Sequence, residues 1–404
     1  MRIDPFRQLV SVTLFALALQ SCPAIAEKNY GPGVTDTEIK IGQTAPYSGP
    51  VSAYGTVGKA MAAYLAKVND EGGVNGRKVR LISLDDGFNP SKTVEQTRKL
   101  VEDENVLLMF GTVGTPTNSA IYKYLNGQRV PQLFILTGNP KLADPSHYPW
   151  TMPFHHSFDL EGAIYAKYVL QAKPNAKIAI LYQNDDYGKS LVAAFKRTLG
   201  DNARDLVVAE ATYEITDPTV DQQIISLQAS GAETLVDFST TKAAAQAIRK
   251  VYDIGWRPLH ILTSPASSIE MTLRAAGLEK SIGLVSVTFM KDINDPGLVN
   301  DPGVRDYRAW FSKYYLDGNV NDERNVQAYL TAQGLIYVLK QCGDDLSREN
   351  VMRQAAHMEG VTLPLLLPGI KLATSPTAYF PIRQLQLVRF DGKRWTPFGD
   401  LTGQ

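Results

Sequence analysis

The stretch Ile178-Ala179-Ile180-Leu181-Tyr182-Gln183-Asn184-Asp185-Asp186-Tyr187-Gly188, followed by Lys189 to Leu199, decides the fold. A compact apolar run gives way to polar residues and a glycine, and then to a helical pattern. Such a run reads as a strand buried on both faces whose carboxyl end leads into a helix. The unit repeats downstream: strands at Val207 to Ala211, Leu235 to Phe238 and Leu259 to Thr263 alternate with helices at Val220 to Gln228 and Lys242 to Tyr252. Short apolar strands alternating with helices predict parallel sheets covered on both sides, an α/β architecture.

Upstream lies another block of the same layout. Ile39-Lys40-Ile41 runs to Ala45, and a helical stretch from about Ser52 to Glu71 presents Met61, Leu65 and Val68 on one face. Strands follow at Val79 to Leu84, Val106 to Phe110 and Gln132 to Leu136, with helices at Ser91 to Glu104 and Thr117 to Leu125 between them. Asn89-Pro90-Ser91 marks a helix start. His147-Tyr148-Pro149-Trp150-Thr151-Met152-Pro153 separates the blocks and reads as a crossing between two lobes. After a strand at Leu284 to Phe289 come two helices, Val304 to Tyr315 and Val326 to Cys342, then β-like segments at Leu385 to Phe390 and around Trp395. The expected division is 37–153 with 289–368 as one lobe and 154–288 with 369–404 as the other. Several crossings between lobes imply a hinge.

The beginning of the chain assigns a compartment. Arg2 and Arg7, the apolar run Leu9 to Leu19, and Ala24-Ile25-Ala26 form the three-part pattern of a secretory signal peptide over 1–26. The run is short for a membrane span. Leu19-Gln20-Ser21-Cys22 loosely resembles a lipoprotein box, but the A-x-A site favours cleavage after Ala26 and an unlipidated product. Only Cys342 then remains, so the fold rests on its core and not on disulfides. A chain of 404 residues has ample core for two domains. The balance of 41 basic and 41 acidic residues argues against nucleic acid as a partner. No apolar stretch after the signal is long enough to cross a membrane.

The motifs of catalysis are missing: there is no GxSxG elbow, Walker loop or GxGxxG. His155-His156 would diverge on a strand, which disfavours a shared metal and leaves a surface or crossing-segment role. Asp85-Asp86 and Asp185-Asp186 end strands, with no nucleophile or base to complete a site. The expectation is therefore no enzyme, no cofactor and no metal. Small, polar and aromatic residues do cluster at the strands' carboxyl ends, where open parallel sheets bind ligands. They include Tyr54, Phe88, Gly114, Thr115, Thr137, Gly138, Asp185, Tyr187, Thr240 and Ser264. Hydroxyls at helix starts suit a carboxylate, although Thr115, Thr240 and Ser264 also read as helix caps.

Ala45-Pro46-Tyr47-Ser48-Gly49-Pro50, Tyr54-Gly55, Asn69-Asp70-Glu71-Gly72-Gly73-Val74-Asn75-Gly76, Leu84-Asp85-Asp86-Gly87, Phe110 to Asn118 and Asp186-Tyr187-Gly188 together resemble the type I periplasmic binding proteins of ABC transporters, in the leucine/isoleucine/valine-binding class. The resemblance covers nearly the whole chain after the signal. It implies two doubly wound parallel-sheet lobes joined by three strands, closing on a ligand, and a monomer that delivers its cargo to a membrane permease. It places the ligand carboxylate at Thr115, beside Gly114, and at Thr137-Gly138, with Tyr54 and Tyr187 at the family's aromatic positions. Amino-acid binders commonly carry an acid after the strand that is here Leu259 to Thr263. This sequence reads Thr263-Ser264-Pro265-Ala266-Ser267 instead. Either Asp185 meets an ammonium group or the ligand lacks one. With Tyr54, Phe88, Tyr187 and Phe238 available to a ring, the reading favours an aromatic or other organic carboxylate, then a branched-chain amino acid or amide. A ligand sensor on the same fold is the other alternative, and a secretion signal speaks against a cytoplasmic one.

Overall fold

The computed structural model describes residues 28–403, so the signal segment and Cys22 lie outside the described residues. The first lobe begins with β1 (Asn29–Tyr30), β2 (Glu38–Ala45), α1 (Gly55–Asp70), β3 (Lys78–Asp85) and α2 (Pro90–Arg98). It continues with β4 (Met109–Phe110), α3 (Thr115–Gly127), β5 (Gln132–Ile135) and β6 (Thr151–Pro153). Asn89 caps α2 by accepting from the N–H groups of Ser91 and Lys92 (2.9 and 3.2 Å), and Pro90 needs no partner at the first turn. The strands form a parallel sheet in the order β3-β2-β4-β5-β6.

The second lobe holds α4 (Phe158–Ala172), β7 (Ile178–Gln183), α5 (Asp186–Leu199), α6 (Asn202–Leu206), β8 (Val207–Tyr213) and α7 (Asp221–Ala229). Next are β9 (Thr234–Phe238), α8 (Thr241–Asp253), β10 (Leu259–Leu262), α9 (Arg274–Ala276) and β11 (Val285–Thr288). The chain then returns to the first lobe. Here α10 (Pro302–Tyr314) and α11 (Glu323–Cys342) pack on α1, with Tyr64 edge-on to Tyr329 (4.9 Å between ring centres) and Trp310 Nε1 donating to the Ala63 carbonyl (3.3 Å). β12 (Asp345–Leu346) pairs with β1 and leads to α12 (Arg348–Ala355). β13 (Gln384–Phe390), β14 (Trp395–Pro397) and β15 (Thr402–Gly403) finish the chain at the second sheet.

That sheet runs β14-β13-β11-β10-β9-β7-β8, parallel from β11 to β8. Its other edge is antiparallel, because β13 meets β11 and then folds back on itself as a hairpin into β14. The expected parallel sheet is thus extended by a mixed edge. The crossing between lobes also starts later than the proline-rich run suggested. Thr151–Pro153 is the edge strand of the first sheet, and the passage begins at Phe154. The chain crosses again after β11 and before β13. Single bridges between His156 and Ile382 and between Met290 and Leu366 hold these passages side by side. α4 carries no expectation from the sequence, because it falls between the two periodic blocks.

Candidate functional site

Both sheets turn the carboxyl ends of their strands toward a cavity of about 120 Å³ between the lobes. In the first lobe the loop after β4 ends at Gly114, whose φ of 95° is left-handed backbone that suits glycine. A Cβ there would overlap the Phe88 ring, which closes over this loop. Asn118 ties the loop down by donating to the carbonyls of Thr112 and Gly114 (3.0 and 2.6 Å) and accepting from Gln132 (2.7 Å). The rigid turn sets Thr115 at the start of α3 with its Oγ1 2.6 Å from Oγ1 of Thr137. One hydroxyl proton is spent between them and the other stays free for a ligand. The first-turn N–H groups of α3 add donors and a positive dipole end.

In the second lobe Tyr187 is buried against Phe158 (5.4 Å, edge-on), and its hydroxyl reaches the Ser239 carbonyl and Thr263 Oγ1 at 3.3 Å. Burial pushes its pKa well above the ordinary phenol value, so it stays neutral. Thr240 and Ser264 also line the cavity. Neither they nor Thr115 caps its helix: Thr240 Oγ1 bonds Gln183 and Tyr213 (3.1 and 3.2 Å), and Ser264 bonds Glu161. The hydroxyls at these helix starts are thus not committed to capping.

The lobes touch across the cavity. The Tyr54 hydroxyl donates to the Pro265 carbonyl and accepts from Thr241 Oγ1, both at 3.0 Å, and Asn139 donates to the Asp186 carbonyl at 2.9 Å. Tyr54 therefore spans the cleft while its ring faces the cavity.

Gly138 and Asp185 do not line the cavity. The Gly138 carbonyl accepts from Phe158 N–H (2.7 Å), and the missing side chain lets the first crossing segment lie against β5. Asp185 is committed to capping α5 through the N–H groups of Tyr187 and Gly188 (2.9 and 3.3 Å), and Gln183 holds its other oxygen. Both of its oxygens are engaged inside the loop, away from the cavity wall. Asp185→Ala is expected to cost about 1 kcal/mol of stability through the lost cap while ligand affinity moves less than about twofold. Chemical denaturation alongside calorimetry reads both.

The histidine pair corrects the strand-based expectation. Both rings are buried at the crossing, with centres 4.2 Å apart, because the backbone here is not an extended strand. His155 Nδ1 donates to the His156 carbonyl (2.8 Å), and burial brings its pKa down to about 3. His156 Nε2 lies 2.6 Å from Oε2 of Glu161, a fully buried acid of α4. Glu161 also takes the Ser264 N–H at 2.7 Å and the hydroxyls of Thr263, Ser264 and Tyr165, each at 3.0 Å. Burial raises its pKa, but His156 and these donors outweigh that and hold it at about 2. An acid does serve the end of β10, but it comes from another helix and supports the binding loop from behind.

Two further wall residues open α11, at positions the helical periodicity did not reach. Arg324 forks Nε and Nη2 onto Asp322 (3.0 and 2.9 Å) and lies over the Tyr54 ring at 5.2 Å. Glu323 is half-buried beside it, and the loss of solvent around its carboxyl, with Asp322 and Asp292 adding to it, raises its pKa to about 8. Among the described residues lining the cavity these are the only acid and the only fixed cation. No group of acids, histidines and cysteines among the described residues has metal-site geometry.

A family model described as periplasmic binding protein matches residues 38–394. A Leu/Ile/Val-binding protein homolog from Brucella suis biovar 1 is 22% identical over 319 residues, covering 76% of each chain. An amino acid binding protein of Pseudomonas aeruginosa is 21% identical and covers 76% of this chain and 79% of its own. Among solved structures, a branched-chain amino acid ABC transporter protein from Thermus thermophilus with bound valine superposes with a TM-score of 0.82 at 16% identity, covering 92% and 98% of the two chains. A fatty acid ABC transporter substrate-binding protein from Thermomonospora curvata gives 0.80 at 19% identity, covering 93% and 95%. The two-sheet architecture, the interlobe cavity and the family match over most of the chain agree: the chain belongs to the periplasmic binding protein family, in its type I, leucine/isoleucine/valine-binding class.

Proposed function

We propose that the protein is the periplasmic receptor of an ABC importer and closes on a small organic carboxylate, with a single-ring aromatic acid as the preferred cargo. The observation that carries this is the Thr115–Thr137 hydroxyl pair at the start of α3, facing a small and mainly apolar cavity. The cavity is close in size to one of about 150 Å³ that holds benzene. Thr115, Thr137 and the N–H groups beside Gly114 grip the carboxylate. Phe88, Phe158 and Tyr187 pack the ring, and Tyr54, Thr240 and Ser264 close the far wall. Residues 37–153 with 289–368 move against 154–288 with 369–404, and the closed monomer docks on a membrane permease.

Valine and a fatty acid, named for the two solved relatives, share a carboxylate but not an ammonium. A branched-chain amino acid is the second reading, favoured by the relatives' names. It would need Glu323 to ionise beside Arg324. An ammonium group without a ready counter-charge is expensive to bury.

Thermal-shift and calorimetric comparison of benzoate-type acids with leucine, isoleucine and valine tests the reading. An aromatic acid should bind more tightly than any of the three. Thr115→Ala should weaken it about ten- to a hundredfold, the value of a hydrogen bond to a charged group. Tight binding of valine that depends on its ammonium would overturn the aromatic reading. Binding insensitive to Thr115→Ala would overturn the carboxylate site.

A further inference from the structure

Arg324 is only half used. Its residue is 6% exposed, yet Nη1 has no hydrogen-bond partner, while Nε and Nη2 are both spent on Asp322. The Tyr54 ring beneath the guanidinium and the fork onto Asp322 fix its plane, so a side chain of the cavity wall keeps one buried donor unpaired. Beside it the Glu323 carboxyl accepts from Ser268 Oγ (3.0 Å) and from the Ile269 N–H (3.4 Å). Its raised pKa leaves it uncharged at neutral pH, and the protonated carboxyl carries an O–H beside the guanidinium. Buried donors without acceptors are costly, so a ligand that fills this cavity gains by supplying one.

The charges decide what kind. Asp322 already neutralises Arg324, Glu323 is uncharged, and His155 is neutral. A second carboxylate would enter without a counter-charge, whereas a carbonyl, hydroxyl or ether oxygen needs none. We infer that Arg324 Nη1, with the Glu323 carboxyl, forms an acceptor-reading subsite that selects acids carrying an additional uncharged oxygen, such as keto or hydroxy acids. It rests on the carboxylate reading above and assigns the specificity at a wall separate from Thr115 and Thr137.

Calorimetry on matched probes tests it: benzoate, 4-hydroxybenzoate, benzoylformate and terephthalate, with 4-hydroxybenzamide as the uncharged control. At least one of the two oxygen-bearing monoacids should bind about tenfold or more tighter than benzoate, and terephthalate should not. Arg324→Lys keeps a cation for Asp322 but loses the fork. It should reduce that preference to less than about twofold, costing the oxygen-bearing acid clearly more affinity than benzoate, a split that a merely structural role would not produce. Glu323→Gln, which retains a donor, should keep most of the preference. Equal affinities in the wild type, tighter terephthalate, or a preference that survives Arg324→Lys would each overturn the subsite. If no acid binds but the benzamide does, and loses affinity in Arg324→Lys, the carboxylate reading falls and the subsite stands. If no probe binds, both fall.

Discussion

Glu161→Ala should lower unfolding stability by about 3 to 5 kcal/mol, the usual scale for removing one partner from a buried charged network. Glu161 is fully buried, and its two oxygens gather His156, Tyr165, Thr263 and Ser264. Alanine would take this acceptor from His156, Thr263 and Ser264, each at further cost, while Tyr165 keeps the Leu262 carbonyl (3.0 Å). The damage should reach the ligand, because Ser264 lines the cavity and its N–H is held by this carboxylate. Urea unfolding gives the first number and calorimetry the second. A loss under about 1 kcal/mol would show that the network is dispensable.

The pH dependence has a definite sign. Folded Glu161 lies below its ordinary value of 4.5, so its contribution is complete above that pH and fades as pH falls toward about 2. His155 acts in the same direction by another route. Its folded pKa is about 3 against an ordinary 6.5, so below about pH 6.5 the unfolded chain takes up a proton that the folded one refuses. Wild-type stability should therefore drop from about pH 6.5 downward and fall further below about 4.5. Glu161→Ala should lose mainly the lower part of that slope.

Gly138→Ala should be nearly as damaging, at about 3 kcal/mol. The backbone at Gly138 is unstrained; space is the reason. A Cβ would overlap the His156 carbonyl and stand 2.6 Å from Cδ1 and 2.8 Å from Cε1 of Phe158. These belong to the first crossing and the start of α4, so relief requires β5 and the crossing to separate. Thr137 is the next residue and Phe158 is on the cavity wall, so affinity should fall along with the melting temperature. A variant that melts within a degree of wild type and binds normally would refute the assignment of Gly138 as a packing glycine.

Residue order alone determined the alternation of strands and helices, the two parallel blocks and the loops that face the cavity, because each is written in local periodicity. Ligand sites of such sheets lie at strand carboxyl ends, so Tyr54, Phe88, Gly114, Thr115, Thr137, Tyr187, Thr240 and Ser264 were legible and do line the cavity. Gly138 and Asp185 sit in the same loops but off the wall, since the direction of a residue in a tight turn is set by its hydrogen bonds and not by its neighbours' identity. Only the tertiary structure brought His155, Glu161, Glu323 and Arg324 to the site. They come from the crossing, from a helix between the periodic blocks, and from a helix returning to the first lobe. Glu161 ionises because His156 and its donors outweigh burial, whereas Glu323 keeps its proton because desolvation and the nearby Asp322 and Asp292 oppose its charge, and folding alone assembles those surroundings.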